Sequence, residues 1–288
     1  MLSMSDQFKS NQSNNRIQAP WFEWQTILSP LYHKYVPAVV RHRKNVTPAI
    51  LQDVTVLALM CWQVTIGIEN QRAFYRLLAS LGLILPERSR FNRICQQAGA
   101  LFNMIRNGLL QEALPTATYT IIDSIPMPLC QPIRNHSAKV FSPTASIGYN
   151  ATKKTWFYGF KGHFQVTNAG IVVAYAITKA SIHDVKLVKT LVNQYFSAKM
   201  LADSGYISHA LHTDLKRKGI WFWTPCRKNM KQRSSDETLL KRQRRRIETV
   251  FSQLCCLSNI EHNPARSYLG FQARLEQCLF IDTWFKIN

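Results

Sequence analysis

The chain shows two different spacings of hydrophobic residues. In residues 21–114, apolar residues recur every three or four positions without strict alternation, which predicts three or four helices. Thr47 followed by Pro48 has the pattern of a helix start, because an N-cap residue precedes a proline at the first helical position. Residues 1–16 are polar and are expected to form a flexible tail. We therefore expect a helical domain over residues 17–115.

The spacing changes to that of β-strands at Thr118. Residues 118–122 are rich in β-branched and aromatic side chains, residues 157–166 alternate strictly, and a turn pattern at 168–170 leads into an apolar strand. Helices and strands then alternate, in the order helix 183–196, strand 199–202, helix 208–218, strand 220–224 and helix 239–257. This order predicts a mixed α/β fold, with helices on the faces of the sheet, over residues 116–288.

The charge of the chain narrows the class of partner. Lys and Arg number 36 against 16 Asp and Glu, which gives a net charge of +20 and a pI near 9.9. Such a charge indicates a polyanionic partner, and nucleic acid is the first candidate. The longest nearly uncharged apolar run, residues 54–62, is far shorter than the ~20 residues that cross a bilayer. No secretory signal opens the chain, so we expect a cytoplasmic protein without a membrane partner.

The cysteines and histidines do not predict a metal site of their own. The seven cysteines include no C-x-x-C pair, so neither a disulfide framework nor a zinc ribbon is expected. His209 and His212 lie three residues apart without a pattern for a third ligand, which favours a surface helix over zinc.

Two aspartates stand at the ends of predicted strands. Asp123 ends the first strand in "YTIIDSIPMP", where two prolines follow, and Asp203 ends the fourth in "LADSGYIS". Carboxylates at the ends of neighbouring strands can face each other, and such a pair suits a hard cation such as Mg²⁺. Alternatively, Asp203 is a turn or N-cap residue, which is a common use of aspartate close to glycine.

A third carboxylate lies on the predicted C-terminal helix. A two-metal site for phosphoryl transfer usually needs an acid from a further element, and Glu248 in "KRQRRRIETVFSQL" is the candidate. Lys241, Arg244 and Glu248 share one flank of that helix. The alternative for Glu248 is an ordinary surface ion pair with Arg244 or Arg245.

Basic residues near these acids are candidates for DNA contact. Residues 216–246 hold twelve Lys or Arg against two acids, and we expect phosphate contacts from Arg227, Lys228, Lys241, Arg244 and Arg245. Lys161 and His163, on the polar face of the second strand, could also reach a phosphate near Asp123, and a solvated strand face is the alternative. Residues 221–223, Trp-Phe-Trp, are expected to be core rather than base-stacking platforms.

Several blocks in order resemble one known family. "TIIDSIPMPLC", "GYNATKKTWFYGFKGHFQV", "ITKASIHDVK", "LADSGYIS" and "RRRIETVFSQL" are similar to blocks of bacterial insertion-sequence transposases of the DDE type, over roughly residues 118–257. The nearest branch is the nine-eighty-two group of insertion sequences. Many relatives carry a tyrosine and a lysine on the helix of the glutamate, whereas this chain has Lys241 and Cys255 at those positions.

The resemblance implies both a fold and an activity. It implies an RNase H-like catalytic domain over residues 116–288 in which Asp123, Asp203 and Glu248 bind two Mg²⁺ ions, with Mn²⁺ able to substitute. The enzyme would cut DNA at the ends of its insertion sequence and join the 3′-hydroxyl ends to target DNA. Its partners would be double-stranded DNA of the terminal inverted repeats and of the target, bound by at least a homodimer in the bacterial nucleoid. The helical domain would recognise the DNA ends.

Two alternatives to this function remain open from the sequence. A metal-dependent nuclease with the same core would cut DNA without joining it. A catalytically inactive derivative would bind transposon ends and compete with active copies.

Overall fold

The structure is a computed structural model, and it describes residues 19–44, 49–151, 153–226, 237–261 and 263–288. The helices of the N-terminal part are α1 (Phe22–Tyr35), α2 (Ala38–Arg41), α3 (Asp53–Thr65), α4 (Gln71–Ser80) and α5 (Arg88–Ala113). The strands are β1 (Thr120–Pro128), β2 (Ser146–Asn150), β3 (Thr155–Thr167), β4 (Val172–Lys179), β5 (Lys199–Ala202) and β6 (Trp221–Trp223). The later helices are α6 (Val188–Gln194), α7 (His209–Arg217), α8 (Glu237–Arg244), α9 (Arg246–Ser258) and α10 (Tyr268–Ile287).

The N-terminal part is helical, as the hydrophobic spacing predicts. Leu28, Leu57 and Phe102 are fully buried in its core, which joins α1, α3 and α5. The proposed helix start at Thr47 and Pro48 lies outside the described residues, and α3 begins later, at Asp53. None of the helices in the described ranges is both long and apolar enough to cross a membrane.

The strands form one mixed sheet in the order β2-β3-β1-β5-β6, with β4 also paired to β3. β1 is antiparallel to β3 and parallel to β5, and β5 is parallel to β6. β2 and β4 pair with successive parts of β3. The mixed α/β class predicted from the sequence is therefore confirmed.

Helices cover both faces of the sheet. On one face, α6 and α7 bury Val188, Leu191 and Leu211 against β5 and β6. On the other face, α9 buries Ile247 and Val250 against β1 and β3. The predicted helix 239–257 is divided in two, because Arg245 separates α8 from α9. The edge of the sheet near β1 and β5 is thus bordered by α8 and α9.

The last helix, α10, packs on both the helical part and the sheet. Its residues Phe271 and Leu279 belong to the core under the sheet, while Phe280 belongs to the helical core. A Cβ at Gly99 of α5 would lie 2.6 Å from the Cα of Ala273, so this close helix contact requires glycine. The predicted division between residues 17–115 and 116–288 stays a prediction, and α10 contributes to both parts.

Buried polar contacts add to this junction. Arg106 of α5 is almost fully buried, donates from Nη1 to the carbonyl oxygen of Val172 at 3.0 Å, and lies with Nε 3.6 Å from Glu276 Oε2. Asn103 donates to the other oxygen of Glu276 at 2.6 Å. These contacts link α5, α10 and β4, so the helical part and the sheet are joined by polar as well as apolar contacts.

Candidate active site

Asp123 lies in the middle of a strand rather than at its end. β1 continues to Pro128 and stays paired with β3 up to the Pro128 and Gly159 pair, so the expectation that the strand stops at Asp123 is wrong. The other neighbour, β5, pairs with β1 only as far as Ile122. Beyond that point β1 is an edge strand on one side, which tolerates prolines because they have no N–H to donate. Asp123 is therefore the first residue of β1 beyond the end of its parallel neighbour.

Asp203 follows β5 directly and comes next to Asp123. The last paired residues of the two parallel strands are Ile122 and Ala202, so Asp123 and Asp203 occupy the next position on each. Asp203 begins the short 3₁₀ turn Ser204–Tyr206, but its side chain makes no capping hydrogen bond. The alternative of a side-chain cap is thus not supported. The two aspartates lie side by side at the end of the sheet where the pairing of β1 with β5 stops.

The Asp123 carboxyl is in an unfavourable place for a lone negative charge. Burial raises its pKa from 3.8 to about 7, and the neighbouring carboxylates of Asp203 and Asp184 add to the rise. The backbone N–H of Ser124, which donates to Oδ1 at 2.8 Å, and the guanidinium of Arg244 act in the opposite direction. A group with this balance gains from a nearby cation.

Arg244 supplies one such cation and connects Asp123 with Glu248. Its Nη1 is 3.2 Å from Asp123 Oδ2, and its Nη2 is 3.2 Å from Glu248 Oε1. The ion pair between Arg244 and Glu248, considered from the sequence as an alternative, is therefore present. The same guanidinium also contacts Asp123. Glu248 itself lies at the margin of the site, with its side chain 59% exposed.

The three acids do not form a closed set of ligands. Within the described ranges, no group of three or more His, Cys, Asp or Glu side chains is arranged to hold a metal ion. Asp123 and Asp203 lie next to each other, whereas Glu248 is linked to Asp123 by Arg244, which contacts both. Metal binding by Asp123, Asp203 and Glu248 accordingly stays a prediction.

Lys161 and His163 are engaged by Asp184, which lies in the block "ITKASIHDVK" of the family resemblance. Lys161 Nζ is 2.9 Å from Asp184 Oδ1 and donates to the carbonyl oxygen of Ile182 at 3.2 Å. His163 is fully buried, with Nε2 2.9 Å from Thr178 Oγ1 and Nδ1 3.7 Å from Asp184 Oδ1. Contact of these two residues with DNA stays a prediction, and for Lys161 it would require release from Asp184.

His163 is neutral at neutral pH because burial lowers its pKa. Asp184 lies close enough to Asp123 to raise the pKa of its carboxyl. Burial lowers the pKa of His163 to about 4, although Asp184 acts in the opposite direction. Burial raises the pKa of Tyr206 well above its ordinary value, and Asp123, Asp184 and Asp203 all add to this rise. Three aspartates thus surround one buried tyrosine. The signal in the sequence for Asp184 was its place just after a predicted strand.

Two of the remaining basic candidates, Lys241 and Arg245, lie on or directly after α8. Lys241 forms an ion pair with Glu237 at 2.8 Å and is half exposed, and Arg245 is exposed between α8 and α9. Arg227 and Lys228 lie outside the described residues. Trp221 is 47% exposed on the edge strand β6, so its predicted place in the core is wrong, whereas Phe222 and Trp223 are buried as predicted.

A known family model covers the sheet and the three candidate acids. Residues 115–268 match the family model described as "Transposase DDE domain". Because the match covers more than half of the chain, the protein belongs to this family of DDE transposases. No curated protein matches the sequence.

A solved structure supports the same fold. The cryo-EM structure of a piggyBac transposase synaptic complex with hairpin DNA is similar with a TM-score of 0.54, at 10% sequence identity. The similarity covers 92% of this chain and 70% of that chain. At this identity, the likeness concerns the fold alone.

The candidate site fits the divalent metal ions that transposase DDE domains use. Asp123, Asp203 and Glu248 offer carboxylate oxygens, which are the ligands that hard divalent cations prefer. The side chains of Asp123 and Glu248 already converge on one positive group, the guanidinium of Arg244. The donor chemistry and the local need for positive charge therefore agree with a metal at this edge.

Proposed function

We propose that this DDE transposase cuts DNA at the ends of its insertion sequence and joins the freed 3′-hydroxyl ends to target DNA. The observation that carries the proposal is the placement of Asp123 and Asp203 at adjacent positions of two parallel strands, inside the segment that matches the family. Glu248 completes the proposed set of acids from α9. Two Mg²⁺ ions, or Mn²⁺ in their place, would activate the attacking water or 3′-hydroxyl and stabilise the departing oxygen.

The protein groups around the site have separate parts in this proposal. The N–H of Ser124 fixes Oδ1 of Asp123 and favours its ionised form. Arg244 carries a planar fork of donors that suits a phosphate as well as a carboxylate, so it would orient the scissile phosphate beside Asp123.

The partners follow from the chemistry and from the related structure. That piggyBac complex is a synaptic complex with DNA, which supports double-stranded DNA as the partner here. Joining two ends requires two active sites, so we propose a homodimer or a larger assembly on the DNA of a bacterial nucleoid. We further propose that residues 17–115 bind the terminal inverted repeats. Membership of the nine-eighty-two group is also a proposal.

A strand-transfer assay tests the proposed function. It uses purified protein, Mg²⁺, a labelled oligonucleotide that ends in the flanking inverted repeat, and a supercoiled target plasmid. We expect joined product with the wild type and none with Glu248→Gln. The matched control is Glu112→Gln, which removes a half-exposed acid that pairs with Lys34 on the surface.

The same assay separates the alternatives. Cleavage without joined product would identify a nuclease, and binding without cleavage would identify an inactive derivative. Joined product at an unchanged rate with Glu248→Gln would remove Glu248 from the proposed site.

A further inference from the structure

Helices α8 and α9 present two different flanks to their surroundings. Their buried side is formed by Leu240, Ile247 and Val250. With 3.6 residues per turn, Arg244 projects to one side of this stripe and Arg242 to the other. Arg244 faces the acidic edge of the sheet. The opposite flank faces an open groove of about 400 Å³.

We name this feature the arginine groove, and its basic lining consists of Arg242, Arg245 and Arg246. All three side chains are exposed, and none of the ion pairs among the described residues involves them. The groove's lining also contains no aspartate or glutamate. Among the described residues, therefore, no carboxylate pairs with the cations of the arginine groove, in contrast to Arg244, which contacts Asp123 and Glu248.

The floor of the arginine groove is held by hydrogen bonds between main-chain and side-chain groups. Tyr119 and Asn168 line it, just before β1 and in the turn between β3 and β4. The N–H of Thr118 donates to Asn168 Oδ1 at 3.1 Å, and the N–H of Asn168 donates to the carbonyl oxygen of Tyr119 at 3.1 Å. Arg246 Nη2 donates to the carbonyl oxygen of Ala169 at 3.4 Å. The groove is thus a built surface with one arginine anchored to it.

An aromatic and basic surface continues from the arginine groove. Lys199 Nζ lies 5.9 Å from the ring centre of Tyr119 and 5.1 Å from that of Trp221. Trp221 is 47% exposed at the start of β6. Lys199 thus adds a further positive charge beside the arginine groove, which favours a polyanionic ligand.

The arginine groove is separate from the acidic site. Tyr119 directly precedes β1 and Lys199 begins β5, and each stands four residues before its aspartate, Asp123 or Asp203. Four residues of strand span about 13 Å. A phosphate in the groove would therefore be too far from Asp123 to be the one that is cut.

We propose that the arginine groove is a second DNA site, which binds backbone phosphates of duplex DNA away from the scissile phosphate. The proposal deepens the proposed function and rests on it, since it supplies a place for a DNA segment next to the one being cut. Guanidinium groups bind phosphates through paired hydrogen bonds, and three such groups without acidic partners favour a polyanion over any neutral ligand.

The test measures DNA binding without chemistry. Full-length wild type and the variant Arg242→Ala, Arg245→Ala, Arg246→Ala are titrated into a fluorescent duplex of unrelated sequence in EDTA, and anisotropy is followed from ~50 to ~200 mM salt. The slope of log K against log salt is negative, and each lost phosphate contact reduces its magnitude by about 0.9. We therefore expect the magnitude of the slope to fall by about 2 to 3 for this variant. The expected loss of affinity is tenfold or more at the lowest salt.

A second variant provides the charge-matched control. Arg134→Ala, Lys139→Ala, Lys154→Ala also removes three exposed cations, before and after β2 and outside the basic stretch 216–246, and should change the magnitude of the slope by less than one. Equal effects of the two triple variants would overturn the proposal, because net charge alone would then explain binding. An unchanged slope in the groove variant would overturn it as well.

Folding and function are controlled separately. If the triple variant does not fold, as judged by thermal unfolding, the double variant Arg242→Ala, Arg245→Ala keeps the contact of Arg246 with Ala169 and should still lower the slope by about 2. Because EDTA removes the metal, a failure here leaves the strand-transfer result untouched. Loss of strand transfer in Glu248→Gln with normal DNA binding would likewise not count against the proposed role of the arginine groove.

Discussion

The two flanks of α8 and α9 place the same side chain in two different surroundings. Arg244 lies between two carboxylates and is only 17% exposed. Arg242 and Arg246 lie on the opposite flank, exposed to a groove without acids. Composition alone would count all of them as one basic stretch. The buried stripe between them separates an arginine that contacts Asp123 and Glu248 from arginines that are exposed in a groove without acids.

The largest effect should come from the two aspartates that follow the paired parts of β1 and β5. Asp123→Asn and Asp203→Asn should each lower DNA cleavage by about 1000-fold or more, because a lost metal ligand removes several kcal/mol of transition-state stabilisation. Binding to duplex DNA in EDTA should stay within about twofold, since the arginine groove is intact. Cleavage kinetics and anisotropy on the same preparations measure both quantities.

The control for these variants is Asp214→Asn, which removes a surface acid paired with Lys189. Normal cleavage by either Asp123→Asn or Asp203→Asn would exclude that residue from the site. A large loss of binding in both would show that the two flanks do not act independently.

The free energy of unfolding should show the cost of the buried Asp123 charge. The pKa of Asp123 is about 7 in the folded protein and 3.8 as a model value, so the folded state binds the proton more tightly. Its contribution therefore favours folding at low pH and is lost as the pH rises from about 4 to about 7. In EDTA at pH 8, Asp123→Asn should be more stable than wild type by at most about 4 kcal/mol, and the difference should vanish near pH 4.

Urea unfolding of both proteins across this pH range measures the difference. Asp214→Asn serves as the control and should show no gain at pH 8. A wild type that is the more stable of the two at pH 8 would mean that Arg244 and the Ser124 N–H outweigh burial.

The position of the two aspartates could be predicted from the sequence because strand ends carry a local signal. A run of β-branched and aromatic residues before Asp123, and a short apolar run before Asp203, sufficed to place both acids at one end of a mixed sheet. The length of β1 could not be predicted. Prolines usually end a strand, and only the early end of β5 makes room for Pro126 and Pro128 on an edge.

Features that depend on distant parts of the chain were also beyond prediction. Trp221 is exposed because β6 is the edge strand of the sheet, which the local apolar pattern does not reveal. The contact of Arg244 with Asp123 joins residues 121 positions apart. The Asp184 contacts with Lys161 and His163 depend likewise on how β3 and the turn after β4 come together. Such pairings follow from strand order and register rather than from local periodicity.

Arg244→Ala should have a smaller effect than loss of an acid, and one that depends on pH. Arg244 lowers the pKa of Asp123, so its removal should raise that pKa and leave more of the carboxyl protonated at neutral pH. We expect cleavage about 10-fold to 100-fold below wild type near pH 7, with the acidic limb of the rate profile moved to higher pH. Single-turnover cleavage from pH 6 to 9 measures the profile.

The contrasting variant is Arg242→Ala, which should leave the pH profile unchanged. A pH profile for Arg244→Ala that coincides with that of wild type would mean that Arg244 does not control the ionisation of Asp123. Both variants should be compared at saturating DNA, so that differences in binding do not enter the rate.

The smallest effect should come from Arg242→Ala alone. One lost phosphate contact should reduce the salt slope by about 0.9 and weaken duplex binding by only a few fold at low salt. Cleavage of DNA that is already bound should continue at the wild-type rate, because Arg242 lies across the buried stripe from Asp123. If Arg242→Ala slowed cleavage of saturated DNA as much as Arg244→Ala, the two flanks would form one site. An effect confined to the salt slope would instead show that one flank of α8 and α9 serves cleavage and the other serves DNA binding.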